Sequence, residues 1–144
     1  MPSDDLIIPP GFEPYPPVSA FIALIGDMYA CREDDGGITV GLQVRSNHLN
    51  HQGAVHGGMV ASLADNAMGY HAARALGGSV ATVHLAVDYL ARVREGAWLE
   101  VRSQLDRKGK QLLFLACTGR VGEETVFRAS AVFAAIRPGA LAQA

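Results

Sequence analysis

The chain has few charged residues, little cysteine and no long apolar run, and each shortage excludes a class of protein. Of its 144 residues, 18% are charged and 49% are hydrophobic, which is a globular and not a disordered composition. No segment approaches the roughly 20 apolar residues of a membrane-spanning helix, and the acidic start lacks the basic segment of a signal peptide. The two cysteines, Cys31 and Cys117, follow no metal or redox spacing, so we expect reduced thiols in a cytoplasmic protein.

The charge balance restricts the partners. A formal net charge of −2 disfavours a general nucleic-acid binder, and we expect no membrane association either. Basic residues nevertheless gather in two clusters of the C-terminal half, Arg92 with Arg94, and Arg107 with Lys108 and Lys110. Two interpretations stay open for these clusters: they are solvated turns, or they bind an anionic ligand such as a polyphosphate.

The order of predicted elements indicates one α+β domain over 18–138, with a proline-rich irregular leader (1–17) on the surface and a short tail (139–144). Turn residues and hydrophobic periodicity predict a short helix and strand over 18–31, a half-buried strand over 38–45, a polar loop over 46–55, a helix over 58–76, and strands over 80–90, 98–105, 112–121 and 125–136. A turn is predicted at 106–109. We expect the last four strands to follow one another as hairpins, in an antiparallel sheet that covers the long helix.

Asp65 is the only charged side chain between Arg45 and Arg74, and it lies in the middle of the long predicted helix. A lone carboxylate in such an apolar helix is costly to bury, so something should compensate for it. Catalysis is one such reason, because burial and neighbouring groups tune a carboxylate into a base or a nucleophile.

Two faces of this helix differ in size but hardly in charge. One face is apolar and carries Met59, Val60, Leu63, Ala64, Ala67 and Met68. The opposite face has small side chains and carries Ser62, Asp65, Asn66, Gly69 and Ala73. A solvated face normally shows lysine, glutamate or arginine. The small face therefore indicates close approach by another backbone or subunit, and we expect a homodimer or homotetramer.

A glycine pair, Gly57 and Gly58, opens the helix, and a ligand can approach the backbone of residues that lack side chains. The first N–H groups of a helix have no intrahelical partner, so they could polarise a carbonyl oxygen and stabilise an oxyanion. Asp65 follows Gly57 by about 12 Å along the same axis, which is too far for both to act on one carbonyl from one chain. A two-fold arrangement could bring Asp65 of one subunit to the helix start of its neighbour.

The loop before the helix holds three histidines, His48, His51 and His56, without a cysteine, aspartate or glutamate to complete a metal site. We therefore predict no metal and no cofactor. Asn50 has an amide that could orient a water or a carbonyl, or could instead cap a turn. Thr82, at the start of the next strand, could donate a hydrogen bond to Asp65 or to a bound thioester, or be an ordinary strand threonine.

The segment 50–58, Asn-His-Gln-Gly-Ala-Val-His-Gly-Gly, followed by Leu63-Ala64-Asp65, resembles the hotdog-fold acyl-CoA thioesterases. The most similar subgroup is the PaaI-like family of phenylacetate pathways, in which an asparagine precedes His-Gly-Gly and an aspartate follows in the central helix. The resemblance covers roughly residues 20–137. It implies an antiparallel sheet wrapped around a long central helix, and hydrolysis of an acyl- or aryl-CoA thioester at a site between subunits.

The same resemblance implies a role for each matched residue. Asp65 would be the general base or nucleophile, and the Gly57 N–H would polarise the thioester carbonyl. Asn50 would position the water or the carbonyl, His56 would shape the loop, and Thr82 would assist the attacking water. We expect Gly58 to contact the CoA moiety. From charge alone, and not from the resemblance, we expect at least one basic cluster, Arg92 with Arg94 or Arg107 with Lys108 and Lys110, to hold its phosphates. A non-catalytic acyl-CoA-binding protein on the same fold is the alternative.

Overall fold

The long helix α2 (Gly57–Leu76) lies at the centre of the computed structural model, which describes residues 6–137. The chain enters α2 through His56, whose side chain caps the first turn, and leaves it at Gly77, which adopts the left-handed conformation with φ of 73°. Glycine is the residue that takes this conformation without strain, so the helix ends where its sequence indicates. The predicted tail, 139–144, lies outside the described residues.

Seven antiparallel strands form one sheet around this helix, and the order of strands across the sheet is β1-β2-β3-β5-β6-β7-β4. Their bounds are β1 Glu13–Tyr15, β2 Met28–Arg32, β3 Ile38–Gln43, β4 Val80–Tyr89, β5 Trp98–Lys108, β6 Leu112–Val121 and β7 Glu124–Ala135. A four-residue helix, α1 (Ala20–Ala23), precedes β2, and a 3-10 turn at Ser46–His48 follows β3.

The expectation that the last four strands follow one another as hairpins is wrong for β4. This strand pairs with β7 and forms one edge of the sheet. The next strand, β5, lies between β3 and β6 and does not pair with β4. The segment after β4 therefore crosses the sheet before β5 begins. Periodicity along the chain identifies each strand but not its neighbour, because pairing is decided between residues that are far apart in sequence.

The proline-rich leader is not irregular throughout. Its residues Glu13–Tyr15 form β1, which pairs with β2 at the other edge of the sheet. A strand at an edge tolerates proline because one row of its N–H groups makes no ladder bond. Tyr15 is only 6% exposed. Its ring packs edge-on against Tyr70 of α2, with ring centroids 5.2 Å apart. This segment therefore belongs to the folded domain.

Two further strand predictions need correction. The strand β3 is buried on both faces, because Val40 and Leu42 point into the core while Gly41 lies directly beneath the ring of Trp98. The strand β5 continues to Lys108 through a bulge after Leu105, so the turn begins three residues later than predicted. Alternation alone did not indicate either the covering tryptophan or the bulge.

The buried side of α2 agrees with the predicted apolar face, apart from the partly exposed Met59. Its buried residues are Val60, Leu63, Ala64, Ala67, Met68, His71 and Ala72. The small face, which includes Asp65 and Gly69, remains partly exposed in the single chain. No helix in the described part of the chain is long and apolar enough to span a membrane.

Candidate active site

Asp65 projects from the middle of α2 toward the edge strand β4. Thr82 donates its hydroxyl hydrogen to Asp65 Oδ1 across 2.7 Å, the contact that the sequence suggested. The expectation of a deeply buried carboxylate is wrong for the single chain, because Asp65 is half-buried there. Within residues 6–137, Oδ2 has no hydrogen-bond donor, so one oxygen is oriented and the other is left to accept a proton.

The two glycines at the helix start have different surroundings. His56 Nδ1 accepts the N–H of Gly58 at 2.8 Å, and a Cβ at Gly58 would stand only 3.1 Å from that nitrogen. The lack of a side chain at Gly58 therefore makes room for the imidazole. Its N–H is bonded to His56 and is not free for a ligand, although we expected Gly58 to contact the CoA moiety. The N–H of Gly57 has no acceptor in the described chain. One free donor remains at the positive end of α2.

Asn50 caps the turn that leads to this helix. Its Oδ1 accepts the N–H groups of Gln52, at 2.9 Å, and Ala54, at 3.2 Å, so the turn-capping interpretation is the one observed. These two bonds fix the amide plane and leave Nδ2 without an acceptor among residues 6–137. Asn50 can thus cap the turn and still offer a donor to a ligand.

A cavity of about 150 Å³ lies beside Asn50 and Gly57 at the start of α2, and neither Asp65 nor Thr82 lines it. Asn50, Gln52, Gly57, Tyr89 and Arg92 contribute its polar groups. Its other walls are largely apolar and include Ala54, Val55, Val60, Ala91, Val93, Val126 and Phe127. The N–H of Val55 donates to the carbonyl of Val93, which fixes the arginine-bearing segment against the loop. The backbone of Arg94 continues this pairing through an antiparallel β-bridge to Ala54.

The second basic cluster lies elsewhere in the chain. Lys108 Nζ donates to the carbonyl of Ala75 across 2.9 Å, in the last turn of α2. Eighteen residues separate Ala75 from Gly57, which corresponds to about 27 Å along the helix. Lys110 lines a different surface cavity, together with Arg137. Within one chain, only the Arg92 and Arg94 cluster adjoins the candidate site.

Tyr89, the last residue of β4, was not identified from the sequence. Its hydroxyl donates to the carbonyl of Gly57 across 2.7 Å. Its ring would lie 3.4 Å from a Cβ at Gly57, in ordinary van der Waals contact. The two residues are 32 positions apart. A tyrosine that ends a strand carries no local signal of such a contact.

A larger cavity, about 610 Å³, lies on another flank of α2 and is lined by none of the predicted site residues. It reaches a buried pair in which His71 Nδ1 and Ser103 Oγ are 2.9 Å apart. Burial lowers the pKa of His71. Ser103 is only 1% exposed and also contacts the carbonyl of Ile38 at 3.3 Å. A nucleophile must reach a substrate carbon, and the buried hydroxyl of Ser103 cannot do so. We therefore interpret this pair as structural and regard the smaller cavity as the better candidate site.

The three loop histidines do not converge. His48 is buried, and its ring contacts the Ile25 carbonyl at 2.6 Å and the Arg45 N–H at 3.0 Å. His56 caps the helix and His51 is exposed. Among residues 6–137 no three side chains of histidine, cysteine, aspartate or glutamate are grouped to hold a metal ion.

The family follows from comparison with known proteins. A model of the thioesterase superfamily matches residues 52–128, which include the helix start, Asp65 and Thr82. This chain belongs to the thioesterase superfamily. A candidate esterase of Pseudomonas aeruginosa is 36% identical to it over 129 residues, covering 88% of this chain and 96% of that protein.

Solved structures share the fold of this thioesterase. A mutant of the phenylacetic acid degradation protein PaaI of Thermus thermophilus superposes with a TM-score of 0.74 at 20% identity, over 82% of this chain and all of that one. A hypothetical thioesterase protein of Streptococcus pneumoniae, solved with coenzyme A, gives a TM-score of 0.71 at 21% identity, over 76% of this chain and 89% of that one. The hotdog fold and the resemblance to thioesterases are confirmed, and the chain is a thioester hydrolase.

Proposed function

We propose that this thioesterase hydrolyses an acyl- or aryl-CoA thioester to a carboxylic acid and CoA, with Asp65 as the catalytic carboxylate. The observation that carries the proposal is that α2 bears two groups without a hydrogen-bond partner among residues 6–137, Oδ2 of Asp65 and the N–H of Gly57. A thioester carbonyl is a good electrophile, so one carboxylate and one oxyanion donor suffice for its hydrolysis.

In the proposed mechanism the thioester oxygen accepts the Gly57 N–H, which polarises the carbonyl. Asp65 removes a proton from a water that attacks the carbonyl carbon, or attacks that carbon itself to give, after loss of CoA, a mixed anhydride that water hydrolyses to the carboxylic acid and free Asp65. In the first case, Thr82 and Asn50 orient the attacking water and the carbonyl. The tetrahedral intermediate then expels CoA as a thiolate, which takes up a proton. The negative charge that develops on the oxygen faces the positive end of α2.

The two groups that this mechanism needs belong to different subunits in the proposal. Gly57 and Asp65 are eight residues apart on one straight helix, or about 12 Å along its axis. The two groups of one chain therefore cannot both act on the same thioester carbonyl. The edge strand β4 and the small face of α2 both offer surface for a second copy, since edge strands present unpaired backbone groups. A homodimer is the minimal assembly, and two such dimers would form a homotetramer.

The CoA nucleotide would be held at Arg92 and Arg94, because these arginines lie beside the cavity that contains Gly57. Guanidinium groups bind phosphate oxygens through charge-assisted hydrogen bonds. Lys108 and Lys110 could contribute only from a neighbouring subunit. Two free cysteines and a CoA ester as substrate favour the cytoplasm as the location.

A non-catalytic acyl-CoA-binding protein is the second candidate. It would need the Gly57 N–H and the arginines but no carboxylate at the carbonyl. The hydrogen bond from Thr82 that orients Asp65 is the observation that disfavours it. A dehydratase of this fold would pair the carboxylate with a histidine, and it is disfavoured because His71 Nδ1 contacts Ser103 Oγ and not Asp65.

A hydrolysis screen tests the proposal. Purified protein would be assayed against short, medium, long and aryl acyl-CoAs, in the presence of EDTA, with thiol release as the readout. Turnover of at least one class by the native protein, abolished in Asp65→Asn, supports it. Tight binding of acyl-CoA without turnover would instead establish the non-catalytic alternative.

A further inference from the structure

We propose that Tyr89 is a positioning residue, which directs the Gly57 N–H toward the thioester carbonyl by holding the peptide that follows it. The inference rests on the proposed function and extends it to a residue outside the matched motif. It is carried by the contacts of one peptide plane, the one between Gly57 and Gly58.

Both sides of that peptide plane are fixed by side chains. Tyr89 Oη donates to its carbonyl oxygen across 2.7 Å, and His56 Nδ1 accepts its N–H across 2.8 Å. A backbone of two successive glycines has more conformational freedom than any other dipeptide. The two hydrogen bonds hold the Gly57–Gly58 peptide from both sides and remove this freedom. They therefore also restrict the direction of the neighbouring, unpaired N–H of Gly57.

The adjoining peptide carries the catalytic donor. The N–H of Gly57 shares its α-carbon with the carbonyl that Tyr89 holds, so a rotation of the held peptide would redirect the donor or let the first turn fray. Helix ends fray readily because their terminal groups lack intrahelical partners. An oxyanion donor works only when it is preorganised within hydrogen-bond distance of the developing charge. The Tyr89 hydroxyl therefore contributes to preorganisation without touching the reacting atoms.

The strand that holds Gly57 also orients the carboxylate. Thr82 and Tyr89 both belong to β4, and they bond to Asp65 and Gly57 respectively. The edge strand thus contacts α2 at both residues that the mechanism uses. Tyr89 is 55% exposed, and it forms one wall of the cavity of about 150 Å³. Removing the hydroxyl alone keeps that wall in place.

The test compares Tyr89→Phe with the native enzyme and with Tyr70→Phe. Tyr70 is a suitable control because its hydroxyl accepts from Arg74, near the far end of the same helix. We expect Tyr89→Phe to lower kcat about 5- to 50-fold, less than the roughly 10²–10³-fold loss on deleting an oxyanion donor outright. KM should change less than kcat, since the cavity wall remains, and Tyr70→Phe should match the native enzyme.

Two further readouts separate positioning from a general structural role. The first is the affinity for a trifluoromethyl ketone analogue of the acyl-CoA, whose tetrahedral adduct carries an oxyanion. It should fall in parallel with kcat/KM. The second is amide hydrogen exchange, which should rise at Gly58 in Tyr89→Phe while the middle of α2 and the melting temperature stay unchanged.

The outcomes are distinguishable from failure of the proposed function. Native protein that turns over no acyl-CoA would remove both proposals together. Native protein that is active, with a Tyr89→Phe variant of native kcat, analogue affinity and Gly58 exchange, overturns only the role of Tyr89. A fall in kcat accompanied by an equal effect in Tyr70→Phe, or by a lower melting temperature, would also overturn it.

Discussion

Thr82 Oγ1 lies 2.7 Å from Asp65 Oδ1, so the edge strand β4 fixes the orientation of the one carboxylate in the middle of the central helix. The contact spans seventeen residues of sequence. It leaves the second carboxylate oxygen for a proton. This arrangement makes Asp65 the first residue to test.

Asp65→Asn should keep the fold and lose most thioesterase turnover. The change is nearly isosteric, and the amide oxygen can still accept from Thr82, but an amide can neither take up a proton nor attack as an anion. We expect a loss of about 10²–10⁴-fold in kcat, as for removal of a general base. The matched control is Asp88→Asn, which alters an exposed carboxylate of β4 paired with Arg128. Native turnover in Asp65→Asn would exclude Asp65 from the mechanism.

Gly57→Pro tests the oxyanion donor, because it deletes the N–H while it adds the carbons of the proline ring. Gly57 is the first helical residue, a position at which proline is well tolerated, and His56 already has the extended conformation that proline requires before it. We expect kcat to fall about 10²–10³-fold with an unchanged melting temperature.

Gly57→Ala is the control for this variant, since it keeps the N–H and its Cβ meets Tyr89 at an ordinary 3.4 Å. If alanine and proline impaired kcat equally, the effect would come from the added carbon and not from the lost donor.

Mixing two inactive variants tests whether the site lies between subunits. Asp65→Asn and Gly57→Pro chains would be unfolded together, refolded and assayed. A mixed dimer would contain one site with both native residues and one with neither. Random pairing in a two-fold dimer should then restore about a quarter of the native activity. Mixtures that stay inactive, despite mixed dimers in native mass spectra, would contradict a shared site, as would an active monomer in sedimentation.

Arg92 and Arg94 should matter more for CoA binding than Lys108 and Lys110. Changing both arginines to alanine should raise KM for acyl-CoA more than it lowers kcat, because remote binding is lost while the reacting centre is intact. The dependence of KM on salt should weaken in the same variant. The double lysine variant serves as the comparison. A larger rise of KM in the lysine variant would indicate that a neighbouring subunit supplies the phosphate contacts.

Stability should decrease as the pH falls through about 6.5, the ordinary pKa of a histidine, because burial lowers the pKa of His71 in the folded protein. Below that pH the unfolded chain binds a proton that the folded chain does not, so protonation favours unfolding. Above it both states are neutral and this contribution vanishes.

Denaturation at a series of pH values would check this effect. His71→Gln should flatten the acidic side of the profile, while the exposed His51→Gln should leave it unchanged. An unaltered profile in His71→Gln would assign the acid sensitivity to other groups.

The sequence by itself determined the features that depend on near neighbours along the chain. The start of α2 at the glycine pair and its end at Gly77 follow from local capping and turn chemistry. Most strand positions follow from alternation, which reflects the two faces of a sheet. The motif around Asp65, and with it the family, is also a local pattern.

Only the tertiary structure decided which of these elements meet. It paired β4 with β7, brought β1 out of the proline-rich leader, and put Lys108 at the far end of α2 from Gly57. It also assigned the N–H of Gly58 to His56 and the hydroxyl of Tyr89 to Gly57. The physical reason is that strand pairing and side-chain contacts across the core are settled by packing among residues distant in sequence, which no periodicity or spacing records.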